Sequence, residues 1–158
     1  EFVVGQQEEG VVGRKNKSKK LVIIAIEREK GGAKRIYAQK IDKVDKKTVE
    51  AFIKSKVSND AEIRSDGFST YRSLTKQMPN LIVEKSEKKG KNFDVMHRVI
   101  MGFKLWLRGI HGHVIHLQHY LDEYCYRYNR HMMKEKIFDN LIQRMINHAP
   151  VPYKLLIA

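Results

Sequence analysis

The sequence contains one cysteine, Cys125, in 158 residues. A lone thiol excludes an internal disulfide and any zinc cluster built on several cysteines, and it fits a reducing cytoplasm. Long apolar runs are missing too. The longest, LVIIAI at 21–26, is far shorter than the roughly 20 residues a membrane-spanning helix needs. No signal peptide opens the chain. It begins abruptly at EFVV without an initiator methionine, which reads as a fragment of something longer. Acidic residues are scarce beside basic ones: 31 Lys and Arg face 18 Asp and Glu, a formal charge of +13. Such an imbalance is the electrostatic footprint of a nucleic-acid binder, the plainer alternative being a merely soluble basic protein.

What is present suits one globular domain. The length can bury a real core, and 42% hydrophobic residues is ordinary for a globular chain. EFVVG reads as a strand, and QQEEGVVGRKNKSKK as a polar loop or hairpin tip carrying Arg14, Lys15, Lys17, Lys19 and Lys20. LVIIAIE and RIYAQKI flank the turn signal KGGAK and form an expected hairpin. In DKKTVEAFIKSKV, Val49, Phe52, Ile53 and Val57 recur at helical spacing, with Asp45 or Thr48 as cap. AEIRSD and NLIVEKS read as strands around a short helix, FSTYRSLTKQM, that stops before Pro79. EKKGKN reads as a basic, mobile loop. Three helices follow: 94–110 with Asp94 as cap, 116–134, and 135–149, the last ended by Pro150 and Pro152. This order predicts an α/β fold of the ribonuclease H-like plan. Its sheet is mixed and five-stranded, an antiparallel meander plus parallel strands, flanked by helices, and its C-terminal part is all-helical. Residues 1–158 then form a single domain.

Within IRSDGFSTY (63–71), Asp66 stands at the carboxyl end of a strand, just before a glycine turn. It either caps the next helix or holds a metal at the open end of the sheet, where α/β folds place their sites.

Longer motifs extend this. YLDEYCYRYNR (120–130), preceded by WLRGIHGHV and HLQ, resembles the C-terminal signature of insertion-sequence transposases of the ISXO type. SDGFSTYRSL (65–74) is similar to that family's second-aspartate motif, and GVVGRKNKSKKLVIIAIE (10–27) to the glycine- and lysine-rich hairpin after its first catalytic strand. The resemblance covers essentially the whole chain, in order. It implies a bacterial DDE transposase core that cleaves DNA at element ends and joins the 3′-hydroxyl to target DNA. It also implies a two-metal site for Mg²⁺ or Mn²⁺, built from hard oxygen ligands on neighbouring strands. Double-stranded DNA is the implied partner, in the cytoplasm at the nucleoid. Transposases of this class usually act as dimers or larger assemblies. The N-terminal DNA-binding region such proteins carry is absent from this sequence.

Carried over by position, Asp66 matches the second catalytic aspartate. The first would lie one position before Glu1, with Glu1 flanking the site. His97 takes the third position, with Asp66 and His97 as metal ligands. The bland reading of His97 is a partly buried helix histidine, and imidazole suits softer metals better than Mg²⁺. Lys104 lies two helical turns beyond His97 on the same face. It either contacts DNA beside the catalytic group or is an ordinary solvated lysine. Gly102 either opens room for DNA or reflects drift. DNA contacts are expected from Arg14, Lys15, Lys17, Lys19, Lys20, Lys104, Arg108, Arg127 and Arg130. Arg127, Asn129 and Arg130 could equally complement a helix dipole. His111, His113, His116 and His119 lack a standard zinc spacing and read as phosphate contacts or plain surface. Tyr120, Tyr124 and Tyr128 follow core spacing rather than a base-stacking platform. Two rival readings stand beside the transposase: another ribonuclease H-like nuclease, and a catalytically inactive DNA-binding remnant.

Overall fold

The computed structural model describes residues 1–5, 19–111 and 115–156. Strands β2 (Lys20–Glu29) and β3 (Gly32–Ile41) make the expected antiparallel hairpin, with Ile24 opposite Ala38. Its turn holds Lys30 at φ 48° and Gly31 at φ 81°. Positive φ at both central residues matches the twist of the flanking strands. Strand β1 (Phe2–Val4) pairs antiparallel with β2, Phe2 opposite Val22. Strand β4 (Ile63–Asp66) pairs in parallel with β5 (Leu81–Glu84), Asp66 opposite Glu84. The ladders therefore form a three-stranded antiparallel sheet and a two-stranded parallel sheet, where the sequence suggested one mixed sheet. With three residues, β1 offers few backbone groups beyond those that pair with β2.

Alternation along β2 builds two cores. Leu21, Ile23 and Ala25 face one side. There they meet helix α1 (Lys46–Lys56) through Val49, Phe52 and Ile53, and helix α2 (Ser69–Leu74) through Tyr71 and Leu74. Leu81, Val83 and Ile63 join the same cluster, so one core spans both sheets. Val22 and Ile24 face the other side with Phe2 and Val4. They pack on α3 (Asp94–Ile110) through Ile100, Phe103 and Leu107, and on α4 (Leu117–Arg130) through Leu117 and Leu121. Helices thus cover both faces, the layered arrangement of α/β proteins.

Asp45 is the cap of α1. Its Oδ1 accepts the Thr48 N–H at 2.8 Å, and Lys43 holds the carboxyl well below its usual range. Asp94 is not a cap: α3 starts on Phe93 with no side-chain bond, and Asp94 pairs with Arg98 at 3.1 Å inside the first turn. The loop at 87–92 is shaped rather than loose. Residues Lys88–Phe93 form a 3-10 turn, and Asn92 ties it down by accepting from the Glu87 N–H and donating to the Lys85 carbonyl. Helix α5 (Lys136–Ile146) ends earlier than expected, and a short α6 (Tyr153–Leu156) starts just beyond Pro152. Proline is well suited to the first turn of a helix, so it opens this one rather than only ending its predecessor.

The polar side of α4 lies along β3. Gln118 accepts from the Lys40 N–H at 2.8 Å, and Asn129 accepts from the Ile36 N–H at 2.7 Å while donating to the Ile36 carbonyl at 2.9 Å. Between them Cys125 meets the Ala38 backbone N–H. Residues 36, 38 and 40 present their backbone groups away from β2, so α4 satisfies an edge that would otherwise attract another chain. Burial pushes the Cys125 thiol up to about 11. A rise of about two units means about a hundredfold less thiolate. Iodoacetamide should therefore modify native Cys125 at pH 8 at least tenfold more slowly than the unfolded chain, read by mass spectrometry. Equal rates would show an exposed thiol.

Candidate active site at the carboxyl end of the parallel strands

Asp66 ends β4 half-buried, at the carboxyl end of the parallel pair. It does not cap α2, whose N-cap is Phe68 with no side-chain bond. Its Oδ1 instead accepts the Phe68 N–H at 3.3 Å, an Asx-type turn. No cation lies within ion-pairing distance of its carboxylate among the described residues. The opposite carboxylate, Glu84, is differently engaged: Arg64 grips it with two bonds, at 2.9 and 2.7 Å, and lowers its pKa. Glu84 is thus paired, whereas Asp66 has no ion-pair partner among the described residues.

Tyr71, on the helix that follows the Asp66 turn, donates its hydroxyl to Glu1 Oε2 at 2.9 Å. That bond links the start of β1 to the Asp66 segment. Lys104, half-buried on α3, reaches the same strand, with Nζ 5.6 Å from the Phe2 ring centroid. Burial first, and then nearby Lys19, lower its pKa.

His97 is exposed on the first turns of α3, with its ring against the 3-10 turn. A Cβ at Gly90 would fall 2.2 Å from His97 Nε2, and Gly90 has φ +66°. Only glycine fits there, for both backbone and space. Gly90→Ala should cost about 1–2 kcal/mol and displace His97. Urea unfolding and the His97 imidazole resonances would show this, and an unshifted midpoint with unmoved resonances would contradict it.

Among the described residues, no three His, Cys, Asp or Glu side chains gather closely enough to hold an ion. Asp66 and His97 therefore belong to no three-residue ligand cluster among the described residues, and these residues alone do not complete a site for a hard divalent cation, which needs several oxygen donors. Gly102 has a packing reason: a Cβ would meet the Tyr124 hydroxyl at 2.9 Å. The glycine leaves room for a phenol of α4.

The remaining cations differ in availability. Arg108 is exposed at the end of α3, and Lys20 opens β2. Arg127 pairs with Glu123 at 2.8 Å, an exposed contact worth little that a phosphate could displace. Arg130 bonds Asn140 at 3.0 Å and lies 4.3 Å from the Tyr126 ring centroid, tying α4 to α5. Arg14, Lys15, Lys17 and His113 lie outside the described residues. His111 stacks on Tyr120 at 4.1 Å, with Glu123 3.7 Å from its Nε2, inside an aromatic cluster with Trp106. Tyr120 and Tyr124 pack against the core, as their spacing indicates.

Sequence reasoning missed Arg72. It lies exposed on α2 with a guanidinium nitrogen 3.2 Å from where a Gly67 Cβ would be. The glycine beside Asp66 was the only available signal.

A family model described as an ISXO2-like transposase domain matches residues 2–129. No curated protein and no solved structure matches the chain.

Proposed function

We propose, from the premise that this chain belongs to the ISXO2-like transposase domain family, that it is the catalytic core of an insertion-sequence transposase. Its role would be metal-dependent cleavage of DNA at element ends and transfer of the 3′-hydroxyl to a target strand. The observation that carries this is the Asp66 carboxylate, which stands at the carboxyl end of a parallel strand pair without a cation partner among the described residues, where open α/β sheets bind ligands. Glu84, opposite Asp66 on β5, is by contrast held by Arg64.

The two sheets fit one ribonuclease H-like layer. Both β1 and β4 have an edge without a ladder partner among the described residues. Placing those edges side by side gives the order β3-β2-β1-β4-β5, the mixed five-stranded sheet expected from the sequence. The Tyr71–Glu1 bond and the shared core support that adjacency.

Asp66 would hold a divalent ion, Mg²⁺ or Mn²⁺. His97 and an aspartate directly ahead of Glu1 are the further ligands that the resemblance implies. When bound, such ions polarise the scissile phosphate and activate the attacking oxygen. The chain's own part is to bind and orient DNA. Lys19, Lys20, Lys104 and Arg108 would contact backbone phosphates, as would Arg127 and Arg130, and Arg14, Lys15 and Lys17 are the further contacts that the sequence implies. No helix among the described residues is long and apolar enough to cross a membrane.

The test is strand cleavage on a plasmid carrying the element's ends, with the full-length protein and Mg²⁺ or Mn²⁺. Nicking that EDTA abolishes is expected. DNA binding without metal-dependent nicking would leave a binding remnant in place of an enzyme.

A further inference from the structure

We infer that Arg72 is a phosphate-binding residue of the same site, holding a backbone phosphate of the DNA strand presented to Asp66. The inference rests on the transposase reading but on separate observations.

The first is place. Arg72 leaves α2 and returns over the Asp66 turn, its guanidinium nitrogen 3.2 Å from the position a Gly67 Cβ would take. That position is also 3.7 Å from the Glu84 carbonyl oxygen and from the Lys85 Cα. The guanidinium therefore stands at the carboxyl ends of both β4 and β5. Any larger residue at 67 would press against it.

The second is availability. Arg64 is paired with Glu84, Arg98 with Asp94 and Arg127 with Glu123, and Arg130 bonds Asn140. Arg28, Arg35, Arg108 and Arg144 have no carboxylate within ion-pairing distance among the described residues, but none of them is shown at the Asp66 turn. Arg72 has no carboxylate within ion-pairing distance among the described residues, although Asp66 is only one residue from the glycine it covers. What distinguishes Arg72 is its place: an exposed guanidinium over the Asp66 turn, without a carboxylate partner among the described residues, keeps its fork for a planar, doubly accepting anion. A phosphodiester has that geometry, and the +13 chain attracts it. The pairing also separates roles chemically. Asp66 keeps its charge for a cation, and Arg72 meets the anion, so neither quenches the other.

The experiment is duplex binding by fluorescence anisotropy over a salt series without metal, together with plasmid cleavage. The proteins are the full-length transposase, extending upstream of Glu1, and its Arg72→Ala, Arg72→Lys and Arg98→Ala variants, the last as a paired-arginine comparison. Circular dichroism melts check folding. Arg72→Ala should reduce the salt slope by about one and lower kcat on the order of a hundredfold at saturating DNA. Arg72→Lys should restore the slope but not kcat, because an ammonium lacks the fork. Arg98→Ala should leave both near the unsubstituted values. An Arg72→Ala protein with an unchanged slope overturns the inference, whatever the cleavage result. If the slope falls but no variant nor the parent chain cleaves, the phosphate contact stands and the catalytic reading falls. A parent chain that binds no duplex removes both.

Discussion

Asp66→Asn should leave the protein folded and abolish its metal-dependent nicking, by about a thousandfold or more. Asparagine keeps the oxygen that accepts the Phe68 N–H at 3.3 Å, and it tolerates the same turn. Unfolding should therefore change by less than about 0.5 kcal/mol. On the proposed reading, what is lost is the negative charge, and with it a hard ligand for a divalent ion whose stabilisation of a phosphoryl transition state is worth several kcal/mol. Asp66→Ala removes charge and turn bond together, so the pair of variants separates the two roles. If Asp66→Asn nicks DNA at the parent rate while Asp66→Ala is unstable, the residue is a turn former only.

The second large effect is on stability. Asn129→Leu should destabilise the fold by about 2–4 kcal/mol, read by urea denaturation. Asn129 exchanges both of its amide groups with the Ile36 backbone, at 2.7 and 2.9 Å, in a partly buried setting. Leucine leaves that N–H and carbonyl without partners beside the α4 helix, and each such orphan costs about 1–3 kcal/mol. Asn129→Asp keeps the acceptor and should fall between the two. A leucine variant within about 0.5 kcal/mol of the parent would mean that water reaches this edge. DNA binding, by contrast, should be little altered in the folded fraction, since Asn129 faces β3.

That residue also shows where sequence reading ends. The hairpin, α1 and the strand carrying Asp66 were legible, because local periodicity and turn chemistry alone dictate them. Along α4 the visible signal was the stripe of Leu117, Tyr120, Leu121, Tyr124 and Tyr128; the first four pack on the core, while Tyr128 lies against the rings of Tyr124 and His131. The second face, Gln118, Cys125 and Asn129, bonds to a strand some 80 to 90 residues earlier. Polar side chains at helical spacing look like a solvated surface until that strand is in place. His97 is similar: its environment is Gly90, and only the fold of the 3-10 turn brings the two together. Arg72 carries no pattern that marks it out from other exposed arginines on short helices. Asp94 was misjudged for a local reason, since the N-cap position falls on Phe93 and Asp94 is the first helical residue, with Arg98 in reach.

The central claim is that Asp66 is a metal ligand. Calorimetric titration of Mn²⁺ into the chain extended upstream of Glu1, beside its Asp66→Asn variant, tests it most directly. Binding by the parent that disappears in the variant, with unfolding midpoints matched, is the expected result. Equal Mn²⁺ binding by both, or none by the parent, would contradict it and leave Asp66 as the residue that shapes the turn before α2.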